Sequence, residues 1–398
     1  MGAAGLTFEV DAAKDLADLV PGDGFCRTED ETCSLRAAVE EANASAGPDA
    51  IVVPRGRFRL VLGSLAVSED LEVAGDGSDS TTLQGDRLQR VLRVAPGVNA
   101  AITAMTIRSG GGEDGAGIYN EGNLTLTSLI LMRHSADAWS GGALYNSGAA
   151  TLLDVKVLGN NALFGAGIYN SGVLEMTDTL LRRNRHSVDG GGAGLFNVGE
   201  ATVARSAFVK NQARIGLGGG AIYNNDMLEI TNSTISRNRA RIGTGGGLVT
   251  DANGVSTLYN VTLVRNQARF VSGGIANFGV TAVHNSIIAE NFNNRVRDIN
   301  CGGDVPVLSL GFNLDSGAVC SFNGPGDLSN EKPYTRSENL NGGLTLSRKL
   351  MAQSAAIDGG DPDSCPATDQ RGVLRPQDGD GDSASRCDIG AVEVQPGE

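Results

Sequence analysis

The chain has 398 residues, 56 of them glycine, with 40% hydrophobic and 5% aromatic residues; that length supports a substantial buried core, and only 11 prolines among clustered glycines exclude a collagen. No run of eighteen apolar residues exists, which excludes a membrane-spanning helix, and a formal charge of −14 argues against non-specific nucleic-acid binding. The charge is uneven: residues 1–114 carry 10 Lys and Arg against 19 Asp and Glu, residues 115–300 carry 15 against 12, and residues 301–398 carry 7 against 15, so only the middle leans basic.

Residues 1–50 read as an N-terminal cap. Its start, Met1 to Gly5, lacks the charged-then-apolar pattern of an export signal, so a signal was either absent or already removed. Within the cap, residues 33–44 form the one clear amphipathic helix, with Ser34 as N-cap and Leu35, Ala38, Val39 and Ala42 on one face. Residues 51–300 read as a parallel β-helix. Irregular coils with strands at 51–53, 71–73 and 91–94 come first, and the repeat is regular from about residue 115.

The repeat is the dominant signal. A six-residue phrase, GAGIYN at 115–120, recurs with its apolar anchor at Ile118, Leu144, Ile168, Leu195, Ile222, Leu248 and Ile275, spaced 26, 24, 27, 27, 26 and 27 residues. A second phrase ends in the column His134, Asn160, Asn184, Asn211, Asn238, Asn266 and Asn291. Three positions before each lies an apolar residue (Leu131, Val157, Leu181, Phe208, Ile235, Leu263, Ile288), and eight before lies another (Leu126, Leu152, Met176, Val203, Ile230, Leu258, Val283). Five is odd, so on one straight strand these two columns face opposite sides. Both are buried only if the chain bends between them.

A unit of two or three short strands, each with one buried face, closes no core alone and must stack on copies of itself, about 4.8 Å apart. That is an all-β, single-stranded parallel β-helix. Helical repeats lack support, because the phrases are Gly-rich and carry no helical stripe; leucine-rich repeats lack their leucine spacing. The recurring Asn has a structural role, since a short amide tolerates unusual backbone angles at bends and bonds to its own copy one coil away. Residues 301–398 read as further coils and a disulfide-stapled, irregular C-terminal cap.

Six cysteines fall in three local pairs, Cys26 with Cys33, Cys301 with Cys320 and Cys365 with Cys387, and none shows metal-ligand spacing. Three short-loop disulfides, and with them an oxidising, secreted or cell-surface location, follow as the expectation.

The segment GDGFCRTEDETCSLRAAVEEANA, residues 22–44, resembles the CSLREA N-terminal region of exported bacterial right-handed β-helix proteins, and residues 355–393 resemble the choice-of-anchor Q region found with it. The repeated phrases are similar to those of polymorphic outer-membrane proteins, which are surface adhesins. The resemblance implies right-handed coiling, export and an adhesin-like role. Such relatives usually continue into a sorting signal or barrel, whereas this sequence ends shortly after Cys387-Asp388-Ile389-Gly390; a released form and a trimmed anchor both stay open.

Two sets of basic residues are candidates for binding a polysaccharide or cell-surface glycan. Arg133, Arg183, Lys210, Arg237 and Arg265 each stand one residue before the second column, and Arg214, Arg241 and Arg269 stand three after it. Like charges about 4.8 Å apart repel by roughly 0.9 kcal/mol per pair even at water's dielectric, so a compensating anion is expected: an acidic glycan along the axis, or solvent counter-ions. Tyr119, Tyr145, Tyr169, Phe196 and Tyr223 form an outward column that either holds sugar rings or packs on itself.

No cofactor motif is present. Asp378, Asp380 and Asp382 alternate as in calcium loops, but Ile389 stands where an EF-hand has Glu, so a structural Ca2+ competes with a solvated turn. A polysaccharide lyase or glycoside hydrolase is the runner-up function. Against it, the coils hold few acids (Asp154, Glu175, Asp178, Asp189, Asp226, Glu229), and His186 is the one base candidate. No catalytic residue is assigned, and the oligomeric state stays open.

Overall fold

Because the short strands have an apolar face and end at bends, the chain coils, and strands pair with their copies in the neighbouring coil. The computed structural model describes residues 5–397, Ser187 and Val188 by backbone alone, and divides into two compact units, Met1–Glu175 and Met176–Glu398. Met1–Ala4, read above for an export signal, and Glu398 lie outside the described residues.

In the first unit, strands Asp49–Val53, Leu71–Gly75, Asn99–Thr103, Asn123–Thr127 and Ala149–Leu153 stack in one parallel sheet. Leu65–Val67, Leu92–Val94, Ile118–Asn120, Leu144–Asn146 and Ile168–Asn170 form a second, and Gly56–Arg59, Thr81–Gln84, Thr106–Arg108, Ile130–Met132 and Lys156–Leu158 a third. Ile118 stands opposite Leu144, and Asn120 opposite Asn146, so like residues align in rows. The expected bend is real: Leu126 and Leu131 are both fully buried, and Ser128 between them takes a left-handed φ of 53°. The helix Leu35–Ala44 starts at Ser34, whose side chain accepts from the Ala37 amide, and buries Leu35, Ala38, Val39 and Ala42 as expected.

The second unit repeats this parallel β-solenoid. Its first three sheets contain, in adjacent coils, Met227–Thr231 beside Val255–Tyr259, Ile222–Asn224 beside Leu248–Thr250, and Thr234–Ser236 beside Thr262–Val264. A fourth sheet, beyond the two or three strands expected per coil, stacks Arg185–Gly191, Gln212–Gly218, Arg239–Thr244, Gln267–Ala268 and Phe292–Asn293. Its inward residues Ala213, Ala240 and Ala268 are buried but small, which is why no apolar column marked it.

The irregular C-terminal segment lies along a flank of this unit. Val264, Ile287 and Ala289 pack with Leu350, Ala356, Ile389 and Val394. Gln370 joins the two layers: its amide accepts from the Thr234 hydroxyl at 2.6 Å and donates to the Ser206 carbonyl at 3.2 Å. Replacing Gln370 by Leu strands these buried groups and is expected to cost about 2–3 kcal/mol, measured as a shift in urea midpoint; an unchanged midpoint would show that the segment is not anchored there. The three disulfides, Cys26–Cys33, Cys301–Cys320 and Cys365–Cys387, are those anticipated from spacing. Among the described residues no helix is long and apolar enough to cross a membrane.

Candidate functional site

The two basic sets have different fates. Arg133, Arg183, Lys210, Arg237 and Arg265 occupy the bend before the Asn column, all at left-handed φ between 55° and 59°. Two of them are engaged by carboxylates of the chain. Arg237 lies 3.2 Å from the Glu338 carboxylate, which also takes Arg348 at 2.8 Å, and Arg265 lies 2.5 Å from Glu290. Burial opposes ionisation of Glu338, yet the Ser236 hydroxyl and Arg348 hold its carboxyl below the ordinary value. Arg183 is exposed and Lys210 half-buried, and neither has a carboxylate at ion-pair distance among the described residues.

Arg214 and Arg241 stand on the fourth sheet, and Arg269 lies just past the end of the next strand, Gln267–Ala268. Ala213, Ala240 and Ala268 are aligned in register and point inward, so Arg214 and Arg241, the next residues on their strands, are turned out to solvent. All three arginines are exposed and lack a carboxylate partner among the described residues. The next residues, Ile215, Ile242 and Phe270, are 39%, 43% and 49% exposed, and the Arg269 guanidinium lies 5.6 Å from the Phe270 ring centroid. The result is an exposed arginine in each of three successive coils, edged by apolar side chains.

The aromatic column packs on itself. Tyr119 and Tyr145 stack at 4.9 Å, Tyr145 and Tyr169 at 4.7 Å, and in the second unit Phe196 and Tyr223 at 4.7 Å. Arg90 covers Tyr119 from 4.6 Å. Stacked rings spend their faces on each other, whereas a sugar needs an open face. Tyr223 is only 6% exposed, its hydroxyl donates to Asp251 at 2.5 Å, and burial with that carboxylate pushes its phenol pKa up. Tyr169 and Tyr223 thus each take part in ring stacking within their own unit.

His186 points inward, fully buried, with neither ring nitrogen hydrogen-bonded, so it does not reach a substrate. Of the coil acids, Asp178 is held by Arg205 at 2.7 Å. Asp358, Asp378 and Asp380 bring carboxylate oxygens within 4.8 Å of one another, without Asp382. Asp358 already accepts from the amides of Gly379 and Asp380, and Asp378 from those of Gly381 and Ser383, the arrangement of an acidic turn. Sequence reasoning missed a serine row, in which the Thr179 amide donates to Ser206 and the Ser206 amide to Ser233. It also missed Asn300, which extends the Asn row from Asn291 after only nine residues.

No family model matches this sequence, and no curated protein matches it. Among solved structures, the chain is similar to pectin methylesterase PemA from Erwinia chrysanthemi, at 11% identity over 69% of this chain and 80% of that one, with a TM-score of 0.34. It is also similar to the Dettilon tailspike protein gp208, at 14% identity over 71% of this chain and 62% of that one, with a TM-score of 0.39.

Proposed function

We propose that this is an exported, adhesin-like protein that binds an acidic glycan along the row Arg214, Arg241 and Arg269. The observation that carries this reading is the row itself: Arg214, Arg241 and Arg269, each directly after one of three register-aligned alanines, all exposed, with no carboxylate partner among the described residues and apolar residues at their edge. In-register like charges repel, and bidentate forks match carboxylate or sulfate groups repeated along a polymer. The apolar edge suits the less polar faces of sugar rings. Arg237 and Arg265 contribute less, because their guanidiniums are already held by Glu338, which Arg237 shares with Arg348, and by Glu290. Three disulfides support export.

Titration with polygalacturonate tests the reading. Binding that weakens with added salt is expected, and Arg241→Glu with Arg269→Glu lowers affinity by about tenfold or more; equal affinity in that variant rejects the row as the site. Shortened or unsaturated products turn the reading to a hydrolase or lyase, for which Glu290 and Asp298, lining one cleft, are the carboxylates to replace.

A further inference from the structure

The fourth sheet of the second unit stops at a pocket. Its parallel stacking runs from Arg185–Gly191 to Phe292–Asn293, where Val296–Arg297 turns back and pairs antiparallel, Phe292 opposite Arg297. Ala268, the residue before Arg269, stands opposite Asn293, so the pocket, lined by Arg265 of the same coil as Arg269 and by Phe292 of the next, lies at the end of the row. It encloses about 370 Å³, near the lower end of the usual range for small-molecule sites, and is lined by Arg265, Phe292, Arg297, Asp298 and Lys332 among others.

We propose that this pocket holds the terminal acidic sugar residue of a glycan chain whose interior lies along Arg214, Arg241 and Arg269; the proposal rests on the acidic-glycan reading above.

The charges in the pocket favour one negative group. Glu290 answers Arg265, and Asp298 accepts from the Ser316 hydroxyl at 2.5 Å, which itself accepts from the Glu290 amide at 2.8 Å. These contacts fix the carboxylates in place. Arg297 and Lys332 are exposed, line the same space and have no carboxylate partner among the described residues. Three cations against two carboxylates leave one positive charge over, enough for a single carboxylate. The Arg297 guanidinium lies 5.7 Å from the Phe292 ring centroid, so a carboxylate held by Arg297 brings its sugar ring toward the phenyl group. Asn330 and the second oxygen of Asp298 are then placed for sugar hydroxyls. Closure by the antiparallel strand favours a chain end over an internal segment, because it ends the series of parallel rungs a longer polymer would follow.

Calorimetric titration of the full chain with galacturonate, galactose and polygalacturonate tests this. Galacturonate is expected to bind at least about tenfold more tightly than galactose. Arg297→Glu with Lys332→Glu should abolish galacturonate binding and keep most polymer binding, whereas Arg241→Glu with Arg269→Glu should do the reverse. Galacturonate that fails to bind, or binds the pocket variant equally well, overturns the pocket while a polymer still dependent on Arg241 and Arg269 leaves the broader reading standing. If neither monomer nor polymer binds the unaltered protein, both fall.

Discussion

Asn238→Ala is expected to destabilise the second unit by about 2–4 kcal/mol. The Asn238 side chain is fully buried and makes contacts in both directions along the stack. Its amide nitrogen donates to the Phe208 carbonyl at 2.8 Å and to the Asn266 side-chain oxygen at 2.9 Å. Its oxygen accepts from the backbone and side-chain amides of Asn211, at 2.9 and 3.0 Å. Alanine leaves the buried Asn211 backbone amide without a partner, at roughly 1–3 kcal/mol, and removes the side-chain bonds to the Phe208 carbonyl and to Asn266, at about 1 kcal/mol each. Asn253, exposed and joined to Asn225 at a long 3.4 Å, is the control: its change to Ala should stay within about 0.5 kcal/mol. Urea unfolding gives the energies, and hydrogen exchange at the Asn211 amide locates the loss. Equal midpoints for the two variants would refute the row as a source of stability.

What could be read in advance was whatever recurs with the coil. Ile118, Leu144 and Ile168 repeat because each must fill the same interior layer, and they are buried in one row. Interactions that do not recur left no such trace. Glu338, which pairs with Arg237, is about a hundred residues away in sequence, and nothing in its local pattern points to that bend. The inward alanines of the fourth sheet are too small to stand out, yet they are what turn Arg214 and Arg241 outward. The sequence therefore pointed to two basic sets without ranking them, and only the structure shows that Arg237 and Arg265 of the first set are engaged by carboxylates of the chain, whereas Arg214, Arg241 and Arg269 have none among the described residues. The same reasoning applies to the aromatic residues, whose spacing was visible but whose ring-on-ring contacts depend on the tilt of neighbouring coils.

Lowering the pH from 7 to about 4.5 is expected to weaken each unit through one buried histidine. Burial pushes His134 and His186 from the ordinary 6.5 down to about 4. As pH falls below 6.5 the unfolded chain takes up a proton at each, while the folded chain does not until about 4, so stability is lost across that window. At pH 4.5 the loss is about 2–3 kcal/mol for each histidine. His134 replaces an Asn in the first unit: its Nδ1 accepts from the Gly110 amide at 3.0 Å, which leaves the proton on Nε2 to donate to the Ile107 carbonyl, also at 3.0 Å. His134→Asn should keep this pattern, as Asn160 does with the Leu131 carbonyl, and remove the acid loss. His186 stands in register with Ala213, and His186→Ala also removes two unsatisfied nitrogens. In the same unit Asp388 and Glu393 act in the opposite sense: burial raises both, so they favour the folded state at low pH and weaken it as pH rises. Subtracting the unaltered protein from His186→Ala cancels them. The stability advantage of the variant should then grow by about 2–3 kcal/mol between pH 7 and pH 4.5, and an advantage that stays constant with pH would mean that His186 takes its proton without unfolding the coil.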